Sequence, residues 1–187
     1  MHAGIIASSL ITVPPPPPPP GALAATVGYQ PGGVIGAGFV GDYFGNPDLS
    51  GNAVFARKDI RVDFAIPSGH KPGGSASPGY NDVPADGWSG RWVGILKVRT
   101  TEAFTFRFNV SGKIRVFGKP QGAGSYTTLI DSWTPSPLRE VIASNISLNP
   151  STGYEVKIEW APNNGTKVLS FLWESPSVGA SVIEPTA

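Results

Sequence analysis

The chain has 187 residues, which is enough for one domain and an additional arm. Its 14 Lys and Arg nearly balance its 13 Asp and Glu, so the net charge of +1 argues against a nucleic-acid partner. The 24 glycines and 20 prolines argue against a helical protein, and the absence of cysteine excludes disulfides, zinc–thiolate sites and thiol catalysis.

Residues 1–35 are predicted to form an N-terminal anchoring arm. Residues 3–13 are mildly apolar, but no Lys or Arg precedes them and they are too short to span a bilayer, so we favour a retained arm over a signal peptide. Residues 14–20 are seven prolines, which adopt polyproline II and extend over roughly 22 Å. We favour a stiff spacer over a ligand for aromatic grooves of a partner. The predicted partner contacts are Ile5, Ile6, Leu10, Ile11, Val13, Pro14, Pro17 and Pro20.

From residue 36 onward the sequence predicts strands separated by turns. Residues 54–66 are expected to place Ile60, Val62 and Phe64 on one face, and residues 67–87 form a long loop rich in Gly, Pro and Ser. Further strands are predicted over residues 92–98, 103–110, 113–117, 126–133, 139–148, 154–160 and 168–173. No segment shows a sustained helical period.

Apolar and polar positions alternate in two of these strands. In residues 154–160, one face carries Val156, Ile158 and Trp160 and the other carries Glu155, Lys157 and Glu159. In residues 113–117, one face carries Ile114 and Val116 and the other carries Lys113, Arg115 and Phe117. The dipeptide Asn164-Gly165 predicts a hairpin between the strands on either side of it. Short strands at this density, with turns between them, predict two packed antiparallel sheets.

Three motifs carry a resemblance to a known family. Residues 41–51 read GDYFGNPDLSG, residues 84–94 read PADGWSGRWVG and are followed by AFTFR at residues 103–107, and residues 168–176 read VLSFLWESP. In order and spacing, over about four-fifths of the chain, they resemble the PA14 domain. The resemblance implies an all-β fold, a two-sheet antiparallel PA14-like sandwich over residues 36–187. It also implies a binding or structural module on an outer surface rather than a catalyst.

Residue types that support catalysis are scattered. The histidines His2 and His70 lie in the arm and in the Gly/Pro-rich loop, away from any Ser/His/Asp pattern or second metal ligand. The carboxylates cannot be paired from the sequence, and no phosphate-binding loop precedes a helix. We therefore predict that the protein is not an enzyme.

Many sugar-binding PA14 domains carry two adjacent aspartates before a glycine, and these hold a calcium ion that chelates sugar hydroxyls. The matching positions here are Val110 and Ser111, before Gly112, and Asn109 offers only one neutral oxygen donor. The departure argues against calcium-dependent glycan binding. We predict no metal site and no cofactor, with calcium as the less favoured alternative.

Glycan binding without calcium would use exposed aromatic rings with polar neighbours. The candidates are Tyr80, Asn81, Asp82, Trp88, Asn109 and Tyr126. For Trp88 a position in the core is the favoured alternative, and for Tyr80 the two interpretations are even. Asp86 and Arg91 flank the most family-like segment and are predicted to form an ion pair.

The favoured function is a structural or decorating subunit on the surface of a larger assembly, such as a virion or a surface appendage. Residues 1–20 would anchor it to other protein subunits, and the sandwich would project outward and contact glycans. The alternative is a stand-alone carbohydrate-binding module or adhesin domain, and a glycosidase accessory domain or an enzyme is the least favoured. In each case the location is a virion or extracellular surface, with no nucleic-acid partner and no membrane insertion.

Overall fold

Alternation of apolar and polar side chains produces strands that bury one face, as the sequence predicted, for example over Glu102–Val110 and Lys113–Pro120. The computed structural model describes residues 38–73 and 79–183. The strands are β1 (Phe39–Phe44), β2 (Phe55–Asp59), β3 (Asp63–Ile66), β4 (Ser89–Leu96), β5 (Glu102–Val110), β6 (Lys113–Pro120), β7 (Thr127–Ser132), β8 (Arg139–Leu148), β9 (Tyr154–Ala161), β10 (Lys167–Ser175) and β11 (Val178–Val182). The predicted arm and its partner contacts lie outside the described residues.

The strands form two antiparallel sheets. The first sheet has the order β2-β1-β4-β9-β6-β7, and the second has the order β11-β10-β5-β8. Strand β3 pairs with Lys167 to Ser170 of β10, whereas β11 pairs with Leu172 to Ser175, so both short strands lie along the same edge of β10. A short 3-10 turn at Tyr80–Asp82 interrupts the long loop. Within the described parts of the chain, no helix has the length and apolar character needed to cross a membrane.

The core lies between the two sheets and is rich in aromatic rings. Val156, Ile158 and Trp160 are buried on one face of β9, which confirms the predicted alternation. Trp88 lies edge-to-face on Trp160, with ring centroids 5.3 Å apart. Complete burial of each large ring stabilises the fold by about 1.5–3 kcal/mol, and edge-to-face contacts add to this.

The predicted hairpin at Asn164-Gly165 is wrong. Strand β9 pairs with β4 and β6 in the first sheet, whereas β10 pairs with β3, β5 and β11 in the second. Gly165 does adopt a left-handed conformation, with φ of 98°. A turn residue of this kind reverses the chain direction but does not choose the hydrogen-bonding partner of the next strand. The turn therefore carries the chain from one sheet to the other.

Residues 54–66 do not form one strand. The chain leaves the first sheet at Asp59 and enters the second at Asp63. Between them Ile60 is 65% exposed and Val62 is 1% exposed, so the predicted shared face is wrong. The expected alternation of buried and exposed side chains fails because residues 60–62 link the two sheets and do not belong to a strand. Strand β11 lies where no strand was predicted.

Candidate functional site

Charged side chains of alternating sign cross the outer face of the first sheet. Register places Asp42 beside Arg91, Arg91 beside Glu159, Glu159 beside Arg115, and Arg115 beside Asp131. We call these five residues the charge row. The guanidinium groups of Arg91 and Arg115 lie 2.9 and 2.8 Å from opposite oxygens of Glu159. Opposite charges at directly opposed positions stabilise the pairing of the strands.

Asp42 is the least compensated charge in this row. Its side chain is completely buried, and neither carboxylate oxygen has a hydrogen-bond partner within residues 38–73 and 79–183. Burial raises the pKa of Asp42 to about 6, although the positive charge of Arg91 acts in the opposite direction. Arg91 is bonded to Glu159 instead, so it compensates Asp42 only at longer range.

A small apolar cluster covers part of the charge row. It consists of Phe44, Leu49, Ala53 and Trp133, which we call the outer cluster. The rings of Phe44 and Trp133 lie over the guanidinium groups of the row, at 5.5 and 4.2 Å from centroid to carbon. Ser89 fixes the β1–β2 loop here, because its hydroxyl donates to the Asn46 carbonyl (2.7 Å) and accepts from the Leu49 N–H (3.1 Å).

Beside the charge row, two aromatic rings hold a lysine. The Lys157 ammonium lies 4.3 Å from the Phe117 ring centroid and 4.6 Å from that of Tyr126. The Lys119 ammonium lies 4.7 Å from the Tyr126 centroid and 3.6 Å from Glu155. The Tyr126 hydroxyl donates to Glu155. All five side chains are partly exposed, and we call them the aromatic–lysine platform.

The electrostatics of the platform follow from its partial burial. Burial lowers the pKa of Lys157, and the nearby charges of Glu159, Arg91 and Arg115 modify this effect. Burial also raises the pKa of Tyr126, and its hydrogen bond to Glu155 adds to the shift. The phenol is therefore neutral at physiological pH and acts as a hydrogen-bond donor. The platform combines apolar ring surface with fixed charges, which suits recognition rather than proton transfer.

The structure contradicts a glycan contact for Trp88. Its side chain has no exposed surface, because the rings of Tyr43 and Trp160 pack against it between the sheets. Residues of the core cannot stack on a ligand at the surface. Trp88 therefore occupies the core position that was its favoured alternative, and its indole N–H has no hydrogen-bond partner in the part of the chain that the structure describes.

Tyr80 holds the long loop in place. Its ring packs edge-to-face on Phe55 (5.5 Å), and its hydroxyl donates to the Pro72 carbonyl (2.5 Å). The Lys71 ammonium lies 4.5 Å from the ring centroid. Asn81, the next residue in the same short turn, is exposed, and so is Asp82.

Asn109 lies on a different surface from the other candidates. It is exposed on β5, between Glu140 and Ser170, and therefore on the outer face of the second sheet. Among the six predicted glycan contacts, only Tyr126 belongs to the aromatic–lysine platform. The structure thus does not bring the predicted residues together in one site.

The loop that resembles the calcium-binding segment is occupied by structural contacts. Val110 is buried, and the Ser111 hydroxyl oxygen accepts a hydrogen bond from the Val168 N–H (2.9 Å). The Ser111 carbonyl accepts another from Trp160 (2.7 Å). Calcium takes six to eight oxygen ligands. In residues 38–73 and 79–183 no group of three or more His, Cys, Asp or Glu is arranged to hold a metal ion.

The predicted ion pair between Asp86 and Arg91 is wrong. Asp86 lies 2.7 Å from the ammonium of Lys167, whose side chain has no exposed surface. Arg91 instead pairs with Glu159. The two residues are separated because Arg91 lies on the outer face of β4, whereas Asp86 lies in the loop before that strand.

A depression between the ends of β6, β8 and β9 is too small for a sugar. Its volume is about 30 Å³, and its lining includes Pro120, Ser147, Asn149 and Tyr154. This volume holds a water molecule or two. A saccharide would therefore bind on an open face rather than in this depression.

Sequence reasoning did not identify most of the platform. The predicted alternation did place Phe117 opposite the core in β6 and Lys157 opposite the core in β9. However, β6 and β9 are neighbours only through the sheet topology, which the sequence did not reveal. The sequence feature that could have identified the platform is the presence of aromatic residues at strand positions that face away from the core.

Known proteins share this architecture. A family model described as the PA14 domain matches residues 37–187. The anti-sigma-I factor RsgI3 of Acetivibrio thermocellus is 25% identical over 138 residues, which are 74% of this chain and 19% of that protein. A solved anti-sigma factor domain-containing protein has a TM-score of 0.65 at 26% identity, over 80% of this chain and 46% of that chain.

A sugar-binding structure is also similar. The PA14 sugar-binding domain from an RTX adhesin has a TM-score of 0.58 at 13% identity, over 82% of this chain and 99% of that domain. At this identity the likeness shows the fold alone. The chain spans less than half the length of the two anti-sigma relatives, so it shares one part of those proteins.

Proposed function

The chain belongs to the PA14 domain family, and on that basis we propose that it is a non-enzymatic module that binds carbohydrate through its aromatic–lysine platform. The observation that carries the proposal is the arrangement of Phe117 and Tyr126. Both rings are partly exposed, and both contact the Lys157 ammonium. Sugars bind proteins by stacking their C–H faces on aromatic rings while nearby polar groups contact the hydroxyls.

The platform is rigid, which favours binding. Phe117 and Lys119 lie on β6 and Glu155 and Lys157 on β9, and both strands are paired on each side within the first sheet. A ligand therefore meets side chains whose backbone is already fixed, and binding orders few additional groups. Glu155 and Lys119 offer an acceptor and a donor beside the Tyr126 ring.

The relatives support recognition rather than catalysis. The names of the similar proteins describe anti-sigma factors, an antifreeze protein and adhesins, and one describes a sugar-binding domain. In the described chain His70 is exposed, and its ring Nδ1 lies 3.0 Å from the Ser68 carbonyl oxygen, which is not a catalytic arrangement. These observations support a non-enzymatic role on an extracellular surface.

Binding to a panel of immobilised polysaccharides tests the proposal. Tyr126→Ala should weaken binding to any retained glycan by about two- to twelvefold, because loss of a stacked ring removes roughly 0.5–1.5 kcal/mol. Asn109→Ala, on the outer face of the other sheet, should not change binding. EDTA should also have no effect. Unchanged binding by the Tyr126 variant, or complete loss in EDTA, would contradict the proposal.

The arm supports a second candidate function. The seven prolines at residues 14–20 follow an apolar segment, a pattern that suits an anchor joined to a stiff spacer. On this view the chain is a decorating subunit of a larger surface assembly, such as a virion or an appendage. The PA14 domain would project outward, and many copies would increase the avidity of weak glycan binding.

Incorporation into the native assembly tests this second function. Replacing Ile5, Ile6, Leu10 and Ile11 with serine should abolish incorporation and leave glycan binding by the isolated protein unchanged. Incorporation of the quadruple variant at the level of the unaltered protein would refute anchoring by the arm. Loss of glycan binding together with incorporation would show that the arm acts on the domain rather than on a partner.

A further inference from the structure

We infer that the aromatic–lysine platform selects acidic polysaccharides, with Lys157 as the residue that pairs with a carboxylate or sulfate of the ligand. The inference rests on the proposed function and specifies its substrate class. It depends on the difference between Lys157 and its neighbour Lys119. The Lys119 ammonium lies 3.6 Å from a carboxylate of the protein, Glu155.

Lys157 has no such partner. Among residues 38–73 and 79–183, no carboxylate lies within 4.0 Å of its ammonium, which is held instead between the rings of Phe117 and Tyr126. The side chain is half-buried in the middle of the sheet. A partly desolvated cation next to two rings gains more from an anionic ligand than a fully hydrated cation does. A neutral sugar would cover Lys157 without compensating its charge.

The surrounding face leaves positive charge available. Arg91 and Arg115 both pair with the carboxylate of Glu159, and the exposed Asp131 lies beside Arg115 in the register. The platform, Lys113 and the charge row without Asp42 together carry five cationic side chains and three carboxylates. Lys113 also lacks a carboxylate partner among the described residues, and its ammonium lies 5.6 Å from the Trp133 ring centroid. The carboxyl of Asp42, at the far end of the row, is buried away from any ligand. The open part of the face is therefore complementary to negative charge, although the net charge of the whole chain is only +1.

The spacing of the unpaired lysines favours a polymer over a single sugar. Lys157 lies opposite Phe117 in the register, and Lys113 lies four residues before Phe117 on the same strand. Four residues of an antiparallel strand span about 14 Å. A ligand that contacts both ammonium groups must therefore extend over more than one ring. Trp133 and Phe117 lie along the same path and offer apolar surface at each end.

Affinity measurements with full-length protein and a matched pair of probes test the inference. The probes are hyaluronan and carboxyl-reduced hyaluronan, which differ in charge but share the same backbone. We expect binding to hyaluronan to be at least about tenfold tighter, and to weaken as NaCl rises from 50 to 500 mM. Lys157→Gln should remove this preference and Lys157→Arg should keep it. Arg107→Gln, the same change of charge on the outer face of the second sheet, should have no effect.

The outcomes separate the inference from the proposed function. Equal binding of the two probes, sensitive to Tyr126→Ala, would overturn the acidic preference and leave carbohydrate binding in place. Failure to bind any glycan of the panel would overturn both. An acidic preference that survives in Lys157→Gln with an unchanged melting temperature would overturn the role of Lys157. Equally tight, Lys157-dependent binding of single-stranded DNA would overturn selectivity for a polysaccharide.

Discussion

At the residue scale, the buried carboxylates Asp42 and Asp59 of the first sheet lie in contrasting environments. Asp59 accepts hydrogen bonds from the Tyr43 hydroxyl (2.6 Å), the Trp92 indole (2.8 Å) and the Arg57 guanidinium (2.7 Å). Asp42 accepts none. A buried polar group with partners stabilises a fold, and one without partners destabilises it. The two residues should therefore respond in opposite ways to neutral substitution.

Asp42→Asn should stabilise the protein at neutral pH. The folded state holds the pKa of Asp42 at about 6, above its ordinary value of 3.8, so it binds the proton more tightly than the unfolded chain does. The contribution of Asp42 to stability is fully present below about pH 4 and is lost as pH rises through 6. A shift of this size corresponds to at most about 3 kcal/mol.

Urea unfolding at pH 4, 5, 6, 7 and 8 measures this effect. The difference in unfolding free energy between Asp42→Asn and the unaltered protein should grow between pH 4 and 7. Asp131→Asn, at the exposed end of the charge row, should leave the pH dependence in place. A variant that is less stable than the unaltered protein at pH 7 would show that the carboxylate has a stabilising role.

Asp86→Ala should destabilise the fold because it leaves the buried ammonium of Lys167 unpaired. Lys167 has no exposed surface, and among the described residues its ammonium donates otherwise only to the Gly165 carbonyl (3.1 Å). Water screens Asp86, which is 40% exposed, so we expect the free energy of unfolding to fall by about 1–3 kcal/mol. In chemical denaturation the double variant Asp86→Ala/Lys167→Met should recover part of this loss. If the double variant lost as much stability as the sum of the two single variants, coupling between the two side chains would be contradicted.

At the element scale, the strands were predictable where one face is buried and the other is exposed. Strand β9 is such a case, since Val156, Ile158 and Trp160 reach the core and Lys157 does not. The partners of each strand were not predictable. Pairing depends on contacts between residues far apart in the chain, and a turn such as Asn164-Gly165 specifies only the reversal. The platform requires β6 and β9 to be neighbours, so it could not be predicted.

The β-bulge in β8 leads to a prediction about the backbone conformation that it requires of one residue. The register between β5 and β8 shifts by one residue between the pair Phe104–Ile146 and the pair Phe106–Ala143. Asn145 lies in the extra length of β8 at this point and has a φ of 61°. Asparagine tolerates this left-handed conformation, whereas a β-branched residue does not. Asn145→Val should therefore cost about 1–2 kcal/mol, and Asn145→Gly should be neutral or slightly stabilising.

Thermal melts of the two variants check the bulge, with Ser147→Val as a control on the same strand. Ser147 is exposed, pairs with Ala103 and is not among the residues with positive φ, so valine should be tolerated there. A bulge also discourages pairing along an edge strand, and β8 lies at the edge of the second sheet. Asn145→Val should not form larger oligomers if the bulge persists. Equal stability of the valine and glycine variants would contradict a conformational requirement at Asn145.

At the scale of the whole molecule, the sandwich should fold without the arm. Its described core extends from Phe39 to Ile183 and is continuous between the two sheets. Deletion of residues 1–35 should therefore change the melting temperature by no more than about 2 °C and leave a single cooperative transition. Calorimetry of the truncated and full-length chains measures both. A large loss of stability would show that the arm packs against the domain, which would argue against its role as an anchor for a partner.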